Sequence, residues 1–174
     1  SGDYSVTVVD SYGCSATESF SIEIYPDLTV SGTSTDVQCG GGSDGSITPE
    51  VTGGTSPFTY SWSNGSTDEL LTGIPAGDYS LPVTDANGCS GTENWTITQP
   101  DELTFTFVQS AEICEGQSVE LNVTAFGGTP PYTYHWDDDP DLNVDERMVS
   151  PDQTTTYTVS VTDSHSCTTQ AQSV

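Results

Sequence analysis

Apolar and polar positions alternate with period two over several short stretches, the pattern of strands with one buried face. Phe58, Tyr60 and Trp62 fall on one side and Thr59 and Ser61 on the other; Tyr132, Tyr134 and Trp136 likewise oppose Thr133 and His135. Tyr79, Leu81 and Val83 share a face, and the Asp85-Ala86-Asn87-Gly88 that follows has the Asn-Gly chemistry of a tight hairpin turn. The run from Leu71 to Tyr79, ending Ala76-Gly77-Asp78-Tyr79, has the form of a tyrosine corner in a two-sheet sandwich. An all-β chain is predicted, with Tyr60, Trp62, Tyr79, Tyr134, Trp136 and Tyr157 in its cores.

The pattern repeats. GDYSVTVVDSYGCS at 2–15 returns as GDYSLPVTDANGCS at 77–90, an offset of 75. A worn third copy, TYTVSVTDSHSCT, spans 156–168, where Tyr157, Asp163 and Cys167 replace Tyr79, Asp85 and Cys89. A second block, GGTSPFTYSW at 53–62, reappears as GGTPPYTYHW at 127–136, and Pro26-Asp27-Leu28-Thr29 is echoed by Pro100-Asp101-Glu102-Leu103-Thr104. These matches divide the chain into the tail of one module at 1–26, a complete module at 27–100 and a nearly complete one at 101–174. Each unit of about 75 residues is a small β-domain. Ser1 to Tyr4 carry neither the charged nor the apolar region of a secretion signal, so the chain reads as a segment of a longer one.

Charge narrows the range of partners. The 174 residues hold 26 acidic side chains against one basic, Arg147, for a formal charge of −25. Nucleic acid and anionic membrane surfaces are excluded as partners, because both need clustered Lys and Arg. No apolar run approaches the roughly 20 residues of a spanning helix. The missing lysine also rules out Schiff-base chemistry, a P-loop and lysine isopeptide cross-links. Sixteen aromatic residues (3 Trp, 8 Tyr and 5 Phe) argue for packed strands over disorder despite the 32% hydrophobic content.

Cysteine is left as the covalent brace. Cys39 and Cys89 are 50 residues apart in the second module, and Cys114 and Cys167 are 53 apart in the third. Pairing within each module repeats with the period and gives one disulfide per module. Cys14, the counterpart of Cys89, then has its partner outside the fragment. No CxxC cluster suggests a cysteine-bound metal, and disulfides imply an oxidising, extracellular setting.

The string Cys39-Gly40-Gly41-Gly42-Ser43-Asp44-Gly45-Ser46-Ile47, then GGTSPFTYSWSNG and GDYSLPVTDANGCS with its Pro100 exit, resembles the SprB-type repeat of giant surface adhesins in gliding Bacteroidota. The third module, without the Gly-rich segment after Cys114 and without the Asn-Gly turn, resembles PKD-like or Ig-like repeats more closely. The resemblance implies tandem Ig-like β-sandwiches, export by the type IX system and a cell-surface location. It also implies a stalk or filament role in attachment, gliding or capture of other cells, with no catalytic residues. The partners it implies are neighbouring modules of the same chain, identical chains in a filament, and surface glycans. A glycan- or protein-binding module, calcium-dependent or not, is the alternative function.

Several residue groups have the chemistry of candidate sites. Gly41-Gly42-Ser43-Asp44-Gly45 fits the GxSxG pattern, but in a turn between strands rather than at the strand-to-helix elbow that a nucleophile needs. His135 is expected on the solvent face and His165 in a turn. Asp137, Asp139, Asp141, Asn143 and Asp145 alternate as oxygen donors in the loop after Trp136 and are the candidate calcium ligands. They do not fit an EF-hand, whose turn glycine and terminal glutamate would fall on Leu142 and Met148; the alternative is a solvated acidic loop. A cation shared between modules near Pro26-Asp27 or Pro100-Asp101 is a further option. Asp10, Asp85 and Asp163 recur at the hairpin entrance, where an Asx turn is expected. Trp95 is expected in the core, and sequons at Asn64, Asn94 and Asn122 carry little weight in a bacterial protein.

Overall fold

The computed structural model describes residues 1–107 and 112–173, so residues 108–111 and 174 of the third copy lie outside it. The described residues form fourteen strands and no helix: β1 (Gly2–Val9), β2 (Ser15–Ile22), β3 (Thr29–Thr35), β4 (Gly45–Thr52), β5 (Thr59–Tyr60), β6 (Leu71–Ile74), β7 (Gly77–Thr84), β8 (Ser90–Ile97), β9 (Thr104–Phe107), β10 (Val119–Phe126), β11 (Thr133–Trp136), β12 (Glu146–Val149), β13 (Tyr157–Thr162) and β14 (Thr168–Ser173). Their sheets run β3-β4-β6 and β5-β7-β8 in the second copy, and β9-β10-β12 and β11-β13-β14 in the third. The strand plan thus repeats with the sequence. Two compact units are formed: Ser1–Gly32 with Pro49–Glu69 and Ser80–Asn94, and Thr33–Thr48 with Leu70–Tyr79 and Trp95–Val174.

The third copy is a two-sheet sandwich. Leu121, Val123 and Val149 from one sheet meet Trp136, Val159 and Val161 from the other, and Phe105, Phe107, Tyr134, Leu142 and Tyr157 pack around them. Trp136 is fully buried and its indole N–H donates to the Val144 carbonyl at 3.0 Å, so its one polar atom is satisfied. In the second copy Trp62 is buried the same way, donating to the Asp68 carbonyl at 2.9 Å. Tyr79 is buried, and its hydroxyl donates to the Pro75 carbonyl at 2.9 Å, which makes the tyrosine corner. Tyr60, Tyr134 and Tyr157 are half-buried rather than fully enclosed. Trp95, expected in the core, is also half-buried, on the sheltered face of β8 that it shares with buried Ile97.

One local difference between the copies has a simple cause. In β13 Ser160 pairs with His135, and β11 runs for four residues. The corresponding pair is Pro82 and Ser61, where proline has no N–H to give and accepts only the Ser61 amide at 3.2 Å. β5 accordingly shrinks to two residues.

The first copy contributes only the hairpin β1–β2, paired from Gly2↔Ile22 to Val9↔Ser15, with Tyr4 stacked on Phe20 at 5.9 Å. Tyr4, Val6, Val8 and Ile22 are exposed here, whereas their counterparts Tyr79, Leu81, Val83 and Ile97 are buried.

Candidate functional site: hairpin turns and a disulfide between repeats

Three hairpins end in the same turn. Asp10, Asp85 and Asp163 each donate their backbone N–H to the carbonyl of the cysteine four residues on, at 3.0, 2.9 and 3.0 Å. The Oδ1 of each carboxylate accepts two amides: Tyr12 and Cys14, Asn87 and Cys89, or His165 and Cys167, all at 2.8–2.9 Å. A side chain that caps its own turn in this way fixes the position of the cysteine that closes it. The residue before the cysteine is left-handed in every copy: Gly13 at φ 86°, Gly88 at φ 86° and Ser166 at φ 67°.

The second carboxylate oxygen explains the Gly-Gly-Thr motif. Oδ2 of Asp85 accepts the Thr55 amide at 2.9 Å, and Oδ2 of Asp163 accepts that of Thr129 at 2.7 Å. To aim that amide, the two preceding glycines take φ between 57° and 73°, and a Cβ on Gly127 would run into the Glu102 carbonyl. Burial opposes ionisation of Asp85, but the amides of Cys89, Thr55, Asn87 and Gly88 outweigh it and hold its carboxyl below the usual range. Asp163 is likewise held low: burial works against it, while the amides of Thr129, Cys167 and His165 and the His165 charge work for it.

The other cysteine position also recurs. Gly42 N–H donates to the Cys39 carbonyl at 2.8 Å, and Gln117 N–H to the Cys114 carbonyl at 3.0 Å, with Gly41 at φ 76° and Gly116 at φ 80° between them. Cys39 and Cys114 therefore open the same glycine-dependent turn, although the Gly-rich string is missing after Cys114. The Cys39 loop is tied to the exit of its repeat. Thr98 N–H donates to Asp36 Oδ1 at 2.7 Å, Val37 N–H to the Thr98 carbonyl at 2.9 Å, and Gly41 N–H to Gln99 Oε1 at 3.1 Å. The Thr98 hydrogen bonds hold the Asp36 carboxyl below its ordinary value. Gly40 packs on the Asp101–Glu102 backbone.

The disulfide that forms is Cys39–Cys167, with the Cα atoms 5.7 Å apart and a sequence separation of 128. Cys14, Cys89 and Cys114 are free thiols. The expected Cys39–Cys89 and Cys114–Cys167 pairs are thus replaced by one bond between successive repeats. The reason lies in what each turn is anchored to. The Cys89 turn is tied through Asp85, Thr55 and the Gly53-Gly54 loop to the entry linker at Asp27–Leu28, while the Cys39 loop is tied to the exit linker at Gln99–Glu102. The Cys167 turn is anchored to that same exit linker: Gly128 N–H donates to the Asp101 carbonyl at 2.8 Å, and Gly128 packs between Asp163 and Leu103. Spacing along the chain carries no record of which linker a turn is anchored to.

Two side chains of the acidic loop, and two of its backbone carbonyls, accept hydrogen bonds from the backbone around it. Asp137 Oδ1 accepts the Thr158 amide at 3.0 Å and Asn143 Oδ1 the Tyr134 amide at 2.8 Å; the Asp139 carbonyl accepts Leu142 N–H, and the Asp145 carbonyl accepts Val123 N–H. Among the described residues no three of His, Cys, Asp and Glu gather so as to hold a metal ion. Asp138, between the alternating donors, takes Arg147 in a two-pronged pair at 2.7 and 2.8 Å. The guanidinium also lies 5.1 Å over the Trp136 ring and 5.5 Å over the Tyr157 ring. Sequence reasoning passed over this cluster, although a lone cation among 26 acids was a signal available to it. His135 and His165 are exposed.

The family model described as SprB repeat matches residues 31–67 and 107–140. The matched segments fall in the second and the third copy, so the third copy, expected to lie nearer PKD-like or Ig-like repeats, is similar to the same family model as the second. No curated protein matches the chain in sequence. Among solved structures, the crystal structure of the N-terminal eight Ig domains of Down Syndrome Cell Adhesion Molecule is similar at TM-score 0.51 and 12% identity, over 98% of this chain and 27% of that one. The Ig1 and Ig2 domains of DIP-gamma align over 85% of this chain and 96% of theirs, at 12% identity and TM-score 0.46. At that identity the first likeness speaks for the fold: the chain is all-β and Ig-like.

Proposed function

We propose that this chain is a structural segment of a large extracellular surface adhesin, a stretch of stalk or filament in which SprB-type repeats are stacked and covalently braced. The observation that carries the reading is the Cys39–Cys167 bond, which fastens one repeat to the next instead of stabilising each alone. A bond placed there limits bending and extension at the linker, as a load-bearing array needs. A disulfide also suits an oxidising location outside the cell. SprB repeats and Ig-like adhesion-type domains are non-catalytic structural modules, which supports a chain with no enzymatic role. The charge of −25 keeps long chains soluble and apart, and where there is a partner, it is the neighbouring repeat or a parallel chain.

Deleting residues 27–100 from the native gene tests this. Surface fibres imaged by electron microscopy are expected to shorten by a constant increment per repeat removed while attachment specificity is retained. Loss of attachment with unchanged fibre length would overturn the stalk reading in favour of a ligand-binding module.

A further inference from the structure

We propose that Cys39–Cys167 is one link of a continuous ladder of disulfides between repeats. In this ladder Cys114 bonds the hairpin cysteine of the repeat that follows it, and Cys89 bonds the turn cysteine of the repeat that precedes its own. The inference rests on the reading of the chain as part of a longer tandem array.

Both halves of the observed bond are present, unbonded, elsewhere in the chain. Cys114 opens a turn with the hydrogen bond and the left-handed glycine of the Cys39 turn. Cys89 and Cys14 close hairpins with the capping carboxylate and the hydrogen bonds of the Cys167 hairpin. The surroundings correspond as well. Cys167 stands at the linker that precedes its repeat, and Cys89 and Asp85 lie within electrostatic reach of Tyr25, next to the linker that precedes theirs. Since Cys39 is taken by Cys167, pairing within a repeat is closed to Cys89 by its natural partner. A period-preserving scheme leaves each of the three free thiols a partner in an adjoining repeat.

The chemistry of each link is ordinary. Two thiols lose their protons and two electrons to form one S–S bond, and the disulfide of a thiol–disulfide oxidoreductase accepts those electrons and is itself reduced to a dithiol. The mechanical consequence differs from that of staples confined to one repeat. In both schemes the slack lies in the stretch from a hairpin cysteine to the next turn cysteine, 25 residues from Cys14 to Cys39 and again from Cys89 to Cys114. Staples within repeats release that stretch once per repeat. In the ladder each bond overlaps the next, and the shortest covalent path uses the stretch once for every two repeats. The oxidised array then extends by roughly 90 Å per two repeats, against roughly 180 Å for staples within repeats, at about 3.5 Å per residue.

The test is a disulfide map of the full native chain, alkylated as it is harvested and digested without reduction. The expected result is Cys39–Cys167, Cys114 linked to an Asp-x-x-x-Cys hairpin peptide of the following repeat, and Cys89 linked to a turn cysteine of the preceding one. Cys39–Cys89 with Cys114–Cys167, Cys89–Cys114, or alkylated Cys89 and Cys114 would each overturn it. The sequence of the same full chain shows whether flanking repeats exist, so failure of the array reading is distinguished from failure of the ladder. Single-molecule extension before and after reduction supplies the second measurement, and the twofold difference in oxidised extension decides between the two schemes.

Discussion

Cys39 and Cys167 are bonded across the Gln99–Glu102 linker, so the loop closed by the only disulfide among the described residues includes most of one repeat, the linker and most of the next. Its value to the fold lies in the unfolded state, which loses the freedom of a 128-residue span. In the chain-entropy model that is about 4–5 kcal/mol.

The double variant Cys39→Ser with Cys167→Ser is therefore expected to unfold at markedly lower urea concentration, by a free energy near that size. Cys89→Ser in the same 174-residue chain should change stability by less than about 0.5 kcal/mol. Pulled from its ends, the oxidised chain should gain roughly 450 Å of contour on reduction, from 128 residues at about 3.5 Å each. A gain of about 50 residues' worth for each bond reduced would point instead to staples within repeats.

Ser166 offers a smaller and cleaner test. It is the one described non-glycine residue with positive φ, at 67°, where the other two hairpins have Gly13 and Gly88. A left-handed conformation costs an L-residue about 1–2 kcal/mol, and glycine gives back part of that through its freer unfolded state. Ser166→Gly should stabilise the chain by about 0.5–1 kcal/mol in urea titration, and Gly88→Ala should destabilise it by a similar amount.

The capping carboxylates set an acid limit. Asp85 and Asp163 have folded-state pKa values below their unfolded ones. Their contribution is therefore fully present above the unfolded value of about 4 and is lost as pH falls through the lowered folded value. Urea midpoints should hold from pH 7 to 5 and drop below pH 4. With Asp85→Asn and Asp163→Asn together, an amide NH₂ faces the Thr55 and Thr129 N–H groups. That variant should be less stable at pH 7 and show a shallower acid slope; an unchanged slope would remove the two caps as its cause.

Much of this was legible from residues alone. The alternation around Trp62 and Trp136 marked buried strands, and the Asp-to-Cys turn was readable because a carboxylate that caps its own turn is a local interaction. The Cys114 turn was harder to see, since the Gly-rich string is gone, yet Gly116 alone supplies the left-handed position it needs. The disulfide partner could not be read, because periodicity is satisfied equally by a bond within a repeat and by one that steps to the next. Which of the two forms depends on the linker to which each turn is anchored, and that is set by Gly-Gly-Thr and Asp36 contacts made far along the chain. In the acidic loop the alternation of oxygen donors was legible, but not that Asp137 and Asn143 each accept a backbone amide from a strand beside the loop.

Arg147 supplies the last prediction. Its side chain is only 15% exposed, its fork meets both oxygens of Asp138, and its plane lies over Trp136 and Tyr157. An exposed ion pair contributes about 0.2–1 kcal/mol and is screened by salt, whereas a cation over a shielded aromatic face contributes up to about 2 kcal/mol. Asp138 is 38% exposed, so the carboxylate half belongs nearer the first class. Asp138→Asn should then cost under about 1 kcal/mol, with the difference vanishing in high salt. Arg147→Ala should cost about 1.5–2.5 kcal/mol at any salt concentration, because it also uncovers the edge of the Trp136 core. Arg147→Lys keeps the charge but loses the flat fork, and should fall between them. Urea titration of the four variants completed by Arg147→Ala with Asp138→Asn isolates the pair's own coupling. If that coupling accounts for the whole Arg147→Ala effect, the aromatic faces contribute nothing and the cation is held by Asp138 alone.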